Sequence, residues 1–143
     1  MEDKTETAYI PPQNVEAEQA LLGAILSNNK ALEKVSEFLL PEHFADPVHG
    51  RIYKACKTYI EQSKVADPIT LKPLFATDED LKNVGGADYL MKLVANSMTI
   101  INAGDYGRQI LDRYIRRRLI DVGTNMVNDA RAVTIRSEER RVG

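Results

Sequence analysis

Few residues of this 143-residue chain have the type and spacing that could do chemistry. His43 and His49 are the two histidines, and they flank Pro47 six positions apart. Metal ligands sharing one helix face need a spacing of about three or four. Each histidine therefore reads as a satisfied or exposed side chain. Asp78-Glu79-Asp80 offers charge to a cation but lacks the remaining ligands of a calcium loop, and reads as a solvated helix start. Cys56 is the single cysteine. It shares an apolar helical face with Ile52, Tyr59 and Ile60, as a buried structural thiol would. Gly85-Gly86 is followed by Ala87, not by a lysine and a hydroxyl, and no phosphate-cradling Gly-x-x-x-x-Gly-Lys-Ser/Thr loop occurs. The pair reads as a turn between helices. The sequence thus assigns no catalytic residue, no cofactor-binding residue and no metal ligand.

The remaining feature is basic. Arg113 and Arg116-Arg117-Arg118 concentrate positive charge. Three adjacent helical residues spread over roughly 200° of circumference, so they do not form one stripe. Asp112 to Arg116 and Arg117 to Asp121 have i,i+4 spacing and are expected to pair. A solvated or ion-paired face is the first reading, a contact with a subunit or another protein the second and a DNA contact the third. Only Tyr106 and Tyr114 interleave, which is thin for stacking on a single strand.

The elements that must position these residues are helical throughout. Pro11-Pro12 favours an extended approach, and Asn14 is a good N-cap. Glu16 and Glu18 follow at the positive end of the helix dipole, worth about 0.3–1 kcal/mol each. Ala17, Leu21, Ala24 and Ile25, widened by Leu22 and Leu26, make an apolar face broad enough for a core helix. Ala31, Leu32, Val35 and Phe38 predict a short amphipathic helix, interrupted at Pro41. Asp46-Pro47 and Asp67-Pro68 are both start signals, an Asp cap followed by Pro at the first helical position.

Between Ile69 and Phe75 a brief helix is expected, with Pro73 tolerated only in its first turn. Ala87, Leu90, Met91 and Val94 define a helix after the glycines. Thr99-Ile100-Ile101 is β-prone but too short for a strand. Asn102 then opens the longest helix, with Asp105 completing an approximate capping box. Along it Leu111, Ile115, Leu119, Val122 and Met126 recur at steps of four, four, three and four, a seam for another helix. Gly104, Gly107 and Gly123 weaken this helix locally, by about 1 kcal/mol each relative to Ala.

Composition bounds the class. Hydrophobic residues make up 43% and charged residues 28%, as in an ordinary globular domain. No apolar run approaches the roughly 18 residues of a membrane span. The formal charge of −2 argues against tight nonspecific nucleic-acid binding by the whole domain. These features together point to the cytoplasm.

The run from Pro11 to Leu26 is far more specific than capping requires. It resembles the opening of the N-terminal domain of DnaB-type replicative DNA helicases. Leu40-Pro41-Glu42-His43-Phe44, Ala66-Asp67-Pro68-Ile69-Thr70-Leu71, Val84-Gly85-Gly86-Ala87-Asp88-Tyr89-Leu90 and Arg116-Arg117-Arg118-Leu119-Ile120 continue in the family's order. The resemblance implies an all-α fold, a compact multi-helix domain followed by the first arm of a helical hairpin. Residues 1–13 would be a disordered leader, 14–101 the helical core and 102–130 the first helix of a truncated dimerisation hairpin. Arg136-Ser137-Glu138-Glu139-Arg140-Arg141-Val142-Gly143 reads instead like a translated sequencing adapter, so 131–143 is set aside as a non-native tail.

By resemblance, the domain is a collar on which a hexameric ring is built. Its partners would be its own subunits, primase and a helicase loader, with single-stranded DNA met through the parent protein. ATP and Mg would belong to a motor domain outside this chain. The candidate interface is Leu111, Ile115, Arg116, Arg117, Leu119, Val122 and Met126. Two rivals remain. One is a stand-alone helical adaptor akin to the helicase-binding domain of a primase. The other is a small DNA-binding protein, whose salt-sensitive affinity would fall with Arg116→Ala or Arg117→Ala.

Overall fold

The computed structural model describes residues 9–97 and 100–142, with the backbone path alone for Ile100 and for 133–142. The first eight residues of the expected leader lie outside it. Six α-helices occur among the described residues: α1 Val15–Ser27, α2 Pro47–Glu61, α3 Pro68–Leu71, α4 Glu79–Asn83, α5 Ala87–Ala95 and α6 Ala103–Val142. Short 3-10 turns stand between α1 and α2, between α3 and α4 and before α6, and no strand is found among the described residues.

Capping sets the helix starts. Asn14 Oδ1 accepts the Ala17 amide at 3.0 Å, and Asp46 Oδ1 accepts that of Val48 at 2.9 Å. At α3 the cap is reciprocal: Asp67 Oδ1 accepts the Thr70 amide at 2.8 Å, and Thr70 Oγ1 accepts the Asp67 amide at 2.9 Å. Pro73 ends α3. It has no N–H to continue the α ladder, and Lys72–Phe75 tightens into a 3-10 turn, so the expected helix is split.

The predicted helix at Ala31–Phe38 is also a 3-10 turn, Asn29–Lys34. Asn28 Oδ1 caps it through the Lys30 amide, and Asn29 is committed elsewhere. Asn29 Nδ2 donates to the carbonyls of Ile25 and Ala66, and its Oδ1 accepts the Ala66 amide. Ala31, Leu32 and Val35 are nevertheless buried as expected. Of the β-prone triplet, Thr99 lies outside the described residues and Ile100–Asn102 is a 3-10 turn.

The core gathers around α1, which packs on α2 and α5. Leu21, Leu22 and Ile25 are fully buried with Ile52, Tyr53, Cys56, Leu71, Leu81 and Leu90. In α5 the inward residues are Leu90 and Leu93, whereas Met91 is 54% exposed. Gly23 is the reason α5 can come so near. A Cβ there would run into the Leu93 carbonyl oxygen.

The core unit spans Gln13–Tyr114, so it takes in the first three turns of α6. Ala103 and Ile110 are buried, and a Cβ on Gly107 would strike Val35 Cγ1. The second unit comprises the chain up to Pro12 and the part of α6 from Ile115 onward. Within it Arg117 Nη1 donates to the Pro12 carbonyl at 2.8 Å. The helix does not stop near residue 130 but continues to Val142.

Candidate functional site

The two histidines part company. His43 Nδ1 accepts the Leu40 amide at 2.9 Å, and its ring tilts against Tyr114 with centroids 4.5 Å apart. His49 is fully buried, with Nδ1 2.8 Å from Glu18 Oε1 and Nε2 2.6 Å from Tyr89 Oη. Glu18 is only 1% exposed, so it does more than favour the helix dipole. Its carboxylate also accepts the amides of Ala45 at 2.7 Å and Asp46 at 3.3 Å. Gln19 Nε2 donates to Tyr89 Oη at 3.2 Å. Burial dominates the phenol of Tyr89 and raises its pKa. Tyr89 also lines an open groove of about 710 Å³, together with Asn14, Gln19, Lys92, Tyr106 and Gln109.

This buried relay escapes a reading of the sequence, although its signal is there. Glu18 shares helical spacing with Leu21, Leu22 and Ile25, and His49 with Ile52, Tyr53 and Cys56. An acid and a histidine on two apolar faces imply that they meet, because each buried polar group needs a partner.

Asp78 and Asp80 are not simply solvated. Arg51 forms a fork on Asp78, Nε to Oδ2 at 2.8 Å and Nη2 to Oδ1 at 3.1 Å, and reaches Asp80 at 3.1 Å. The Arg51 guanidinium, followed by the Leu81 amide, holds the Asp78 carboxyl below its ordinary pKa. Burial pushes the Cys56 thiol up to about 12. Among the described residues no group of three His, Cys, Asp or Glu could hold a metal ion.

A nucleotide does not fit the glycine turn. Gly85 has φ 122° and Gly86 φ 64°, conformations that suit glycine. Their amides are already used, Gly85 donating to the Lys82 carbonyl at 3.2 Å and Gly86 to that of Leu81 at 2.8 Å. That is a Schellman cap on α4, with no amide of the pair left for a phosphate.

The predicted interface residues divide. Leu111 packs against the core. Ile115, Leu119, Val122 and Met126 are 47%, 64%, 46% and 67% exposed. At about 100° per residue these four fall within an arc of roughly 60°. Ile120 and Val127 are also exposed and lie farther round the helix. Arg116 is exposed and Arg117 half-buried. Arg113 pairs with Asp112 at 2.7 Å. Asp121 Oδ2 lies 4.0 Å from Arg118 Nη1.

A family model described as the DnaB-like helicase N terminal domain matches residues 10–112. The chain belongs to that family. It is similar to proteins named replicative DNA helicase DnaB from Rickettsia felis, 48% identical over 140 residues, and Rickettsia bellii, 50% identical over 129 residues. These matches cover 94% and 90% of this chain but 28% and 26% of the relatives. The chain therefore spans about a quarter of their length. The crystal structure of the N-terminal domain of DnaB helicase from Mycobacterium tuberculosis superposes with a TM-score of 0.76 at 34% identity, covering 83% of this chain and 86% of that one. The all-α fold and the helicase N-terminal-domain assignment expected from the sequence are those of the family. No helix among the described residues is long and apolar enough to cross a membrane.

Proposed function

We infer that this domain serves assembly, as the N-terminal collar piece of a ring-shaped replicative helicase in the cytoplasm. The parent would be ATP-driven and act on single-stranded DNA. ATP and Mg would be held in a motor domain beyond this chain. One observation carries the reading: Ile115, Leu119, Val122 and Met126 line one side of α6 while remaining about half or more in solvent. A second copy covering this stripe would gain roughly 25 cal/mol for each Å² of apolar surface removed from water. Primase and a helicase loader are further partners proposed on family grounds.

The test is Leu119→Asp in a protein of the relatives' length. Light scattering should show loss of the wild-type oligomer, with the helical circular dichroism of the core retained. An unchanged oligomer mass would refute the reading.

A further inference from the structure

The hydrogen positions of the buried relay are dictated by its partners. Glu18 takes two backbone amides, on Oε2 from Ala45 and on Oε1 from Asp46. A carboxylate that already takes backbone N–H groups on both oxygens has only acceptors to offer. His49 Nδ1, 2.8 Å from Glu18 Oε1, therefore carries a hydrogen. In a neutral imidazole Nε2 is then the acceptor, so Tyr89 Oη, at 2.6 Å, donates inward. The Tyr89 oxygen in turn accepts from Gln19 Nε2. Each group has one role, and the hydrogens run in order from the groove wall toward Glu18.

A second proton on His49 can sit only on Nε2. That nitrogen then donates, and the 2.6 Å contact survives with its direction reversed. The Tyr89 oxygen accepts from both His49 and Gln19, and its own hydrogen must turn away into the groove it lines. The His49–Glu18 contact persists as an ion pair, so the core keeps its packing. The ring of His49 also stays stacked on Tyr89, with centroids 5.9 Å apart and planes 8° from parallel.

We propose that Glu18, His49 and Tyr89 form a protonation-sensitive latch that sets whether Tyr89 offers the groove an acceptor or a donor. The charged and titratable groups that bear on it come from three helices. Glu18 stands on α1, Tyr89 on α5, and Asp46 at the N-cap of α2, with Lys92 on the same groove wall. Burial, with help from the charges of Asp46 and Glu18, holds the phenol of Tyr89 protonated against the counter-effect of the Gln19 bond. The latch thus takes one proton from solvent onto His49 Nε2 and turns the phenolic hydrogen outward, without ionising the tyrosine.

The test is an acid titration of the isotope-labelled chain by nuclear magnetic resonance. The ring nitrogens of His49 and the ring signals of Tyr89 are tracked together. At the alkaline end His49 should be the Nδ1–H tautomer. His43, whose Nδ1 accepts the Leu40 amide, should be the Nε2–H tautomer and serves as the internal reference. On acidification the Tyr89 signals should shift with the same midpoint as His49.

In Tyr89→Phe the backbone spectrum should persist while the alkaline His49 Nε2 signal moves, which loss of packing alone would not produce. An Nε2–H tautomer of His49 at the alkaline end would overturn the proposal. So would Tyr89 signals that stay still while His49 titrates, or a His49 that keeps one protonation state across the range.

Discussion

Ser63 holds the backbone at φ 62°, the one positive φ at a non-glycine residue among those described. It follows the C-cap of α2, where its amide donates to the Ile60 carbonyl at 3.0 Å and that of Lys64 to Tyr59 at 2.8 Å. This is the arrangement that glycine makes at Gly85, built here against the strain of a Cβ. Ser63→Gly should raise stability by about 0.5–1 kcal/mol, read as a higher urea midpoint. A midpoint unchanged or lowered would contradict the strain.

Asp78 gives a pH signature. Its folded pKa lies below the ordinary carboxyl value, first because of the Arg51 hydrogen bonds. The stability it contributes is fully present above the unfolded value near ~3.9 and is lost as pH falls through the lower folded value. Arg51→Ala should flatten that part of the acid limb in thermal melts recorded against pH. An acid limb as steep as the wild type would refute the link. Individual side-chain fates are the least legible part of the sequence. Glu18 reads as a dipole acid because its second role depends on Ala45, Asp46 and His49, which are distant along the chain.

Helix starts are legible because capping is local: Asn14, Asp46 and Asp67 all accept amides of the first turn, as their positions predict. The stretches between starts are less so. Six residues after Asn28 form a 3-10 turn despite an apolar pattern, and Pro73 splits a helix that its neighbours favour. Leu93 turns inward and Met91 outward, because the face of α5 is chosen by where α1 lies, not by α5 itself.

By propensity alone, a glycine inside a helix is a local weakness, yet the glycines here do different work. A Cβ on Gly23 meets the Leu93 carbonyl, whereas a Cβ on Gly123 has nothing within 4 Å. Gly23→Ala should cost about 1–3 kcal/mol by prising α1 from α5. Gly123→Ala should slow hydrogen exchange in its stretch of α6, by up to about 1 kcal/mol of local stability. If both substitutions acted alike in denaturant melts and exchange, close approach would not be the purpose of Gly23.

For the whole molecule, the apolar repeat on α6 has two owners. Leu111 belongs to the core, whose unit extends through Tyr114, while the repeat from Ile115 faces solvent. Spacing alone shows a single seam, since periodicity records which side a residue is on but not what covers it. The assembly claim rests on the solvent-facing part. It predicts that residues on the stripe meet their counterparts or neighbours in a second copy, and that residues across the helix do not.

The most direct measurement is cysteine cross-linking in a protein of the relatives' length. Val122→Cys lies on the stripe, and Thr124→Cys, also exposed, sits roughly 200° around the helix from it. Cys56 stays silent because it is buried, with its thiol pushed up to about 12. A short bifunctional thiol reagent should give covalent dimers with Val122→Cys and few with Thr124→Cys. Equal yields, or dimers chiefly through Thr124→Cys, would contradict the assignment of this stripe as the assembly surface.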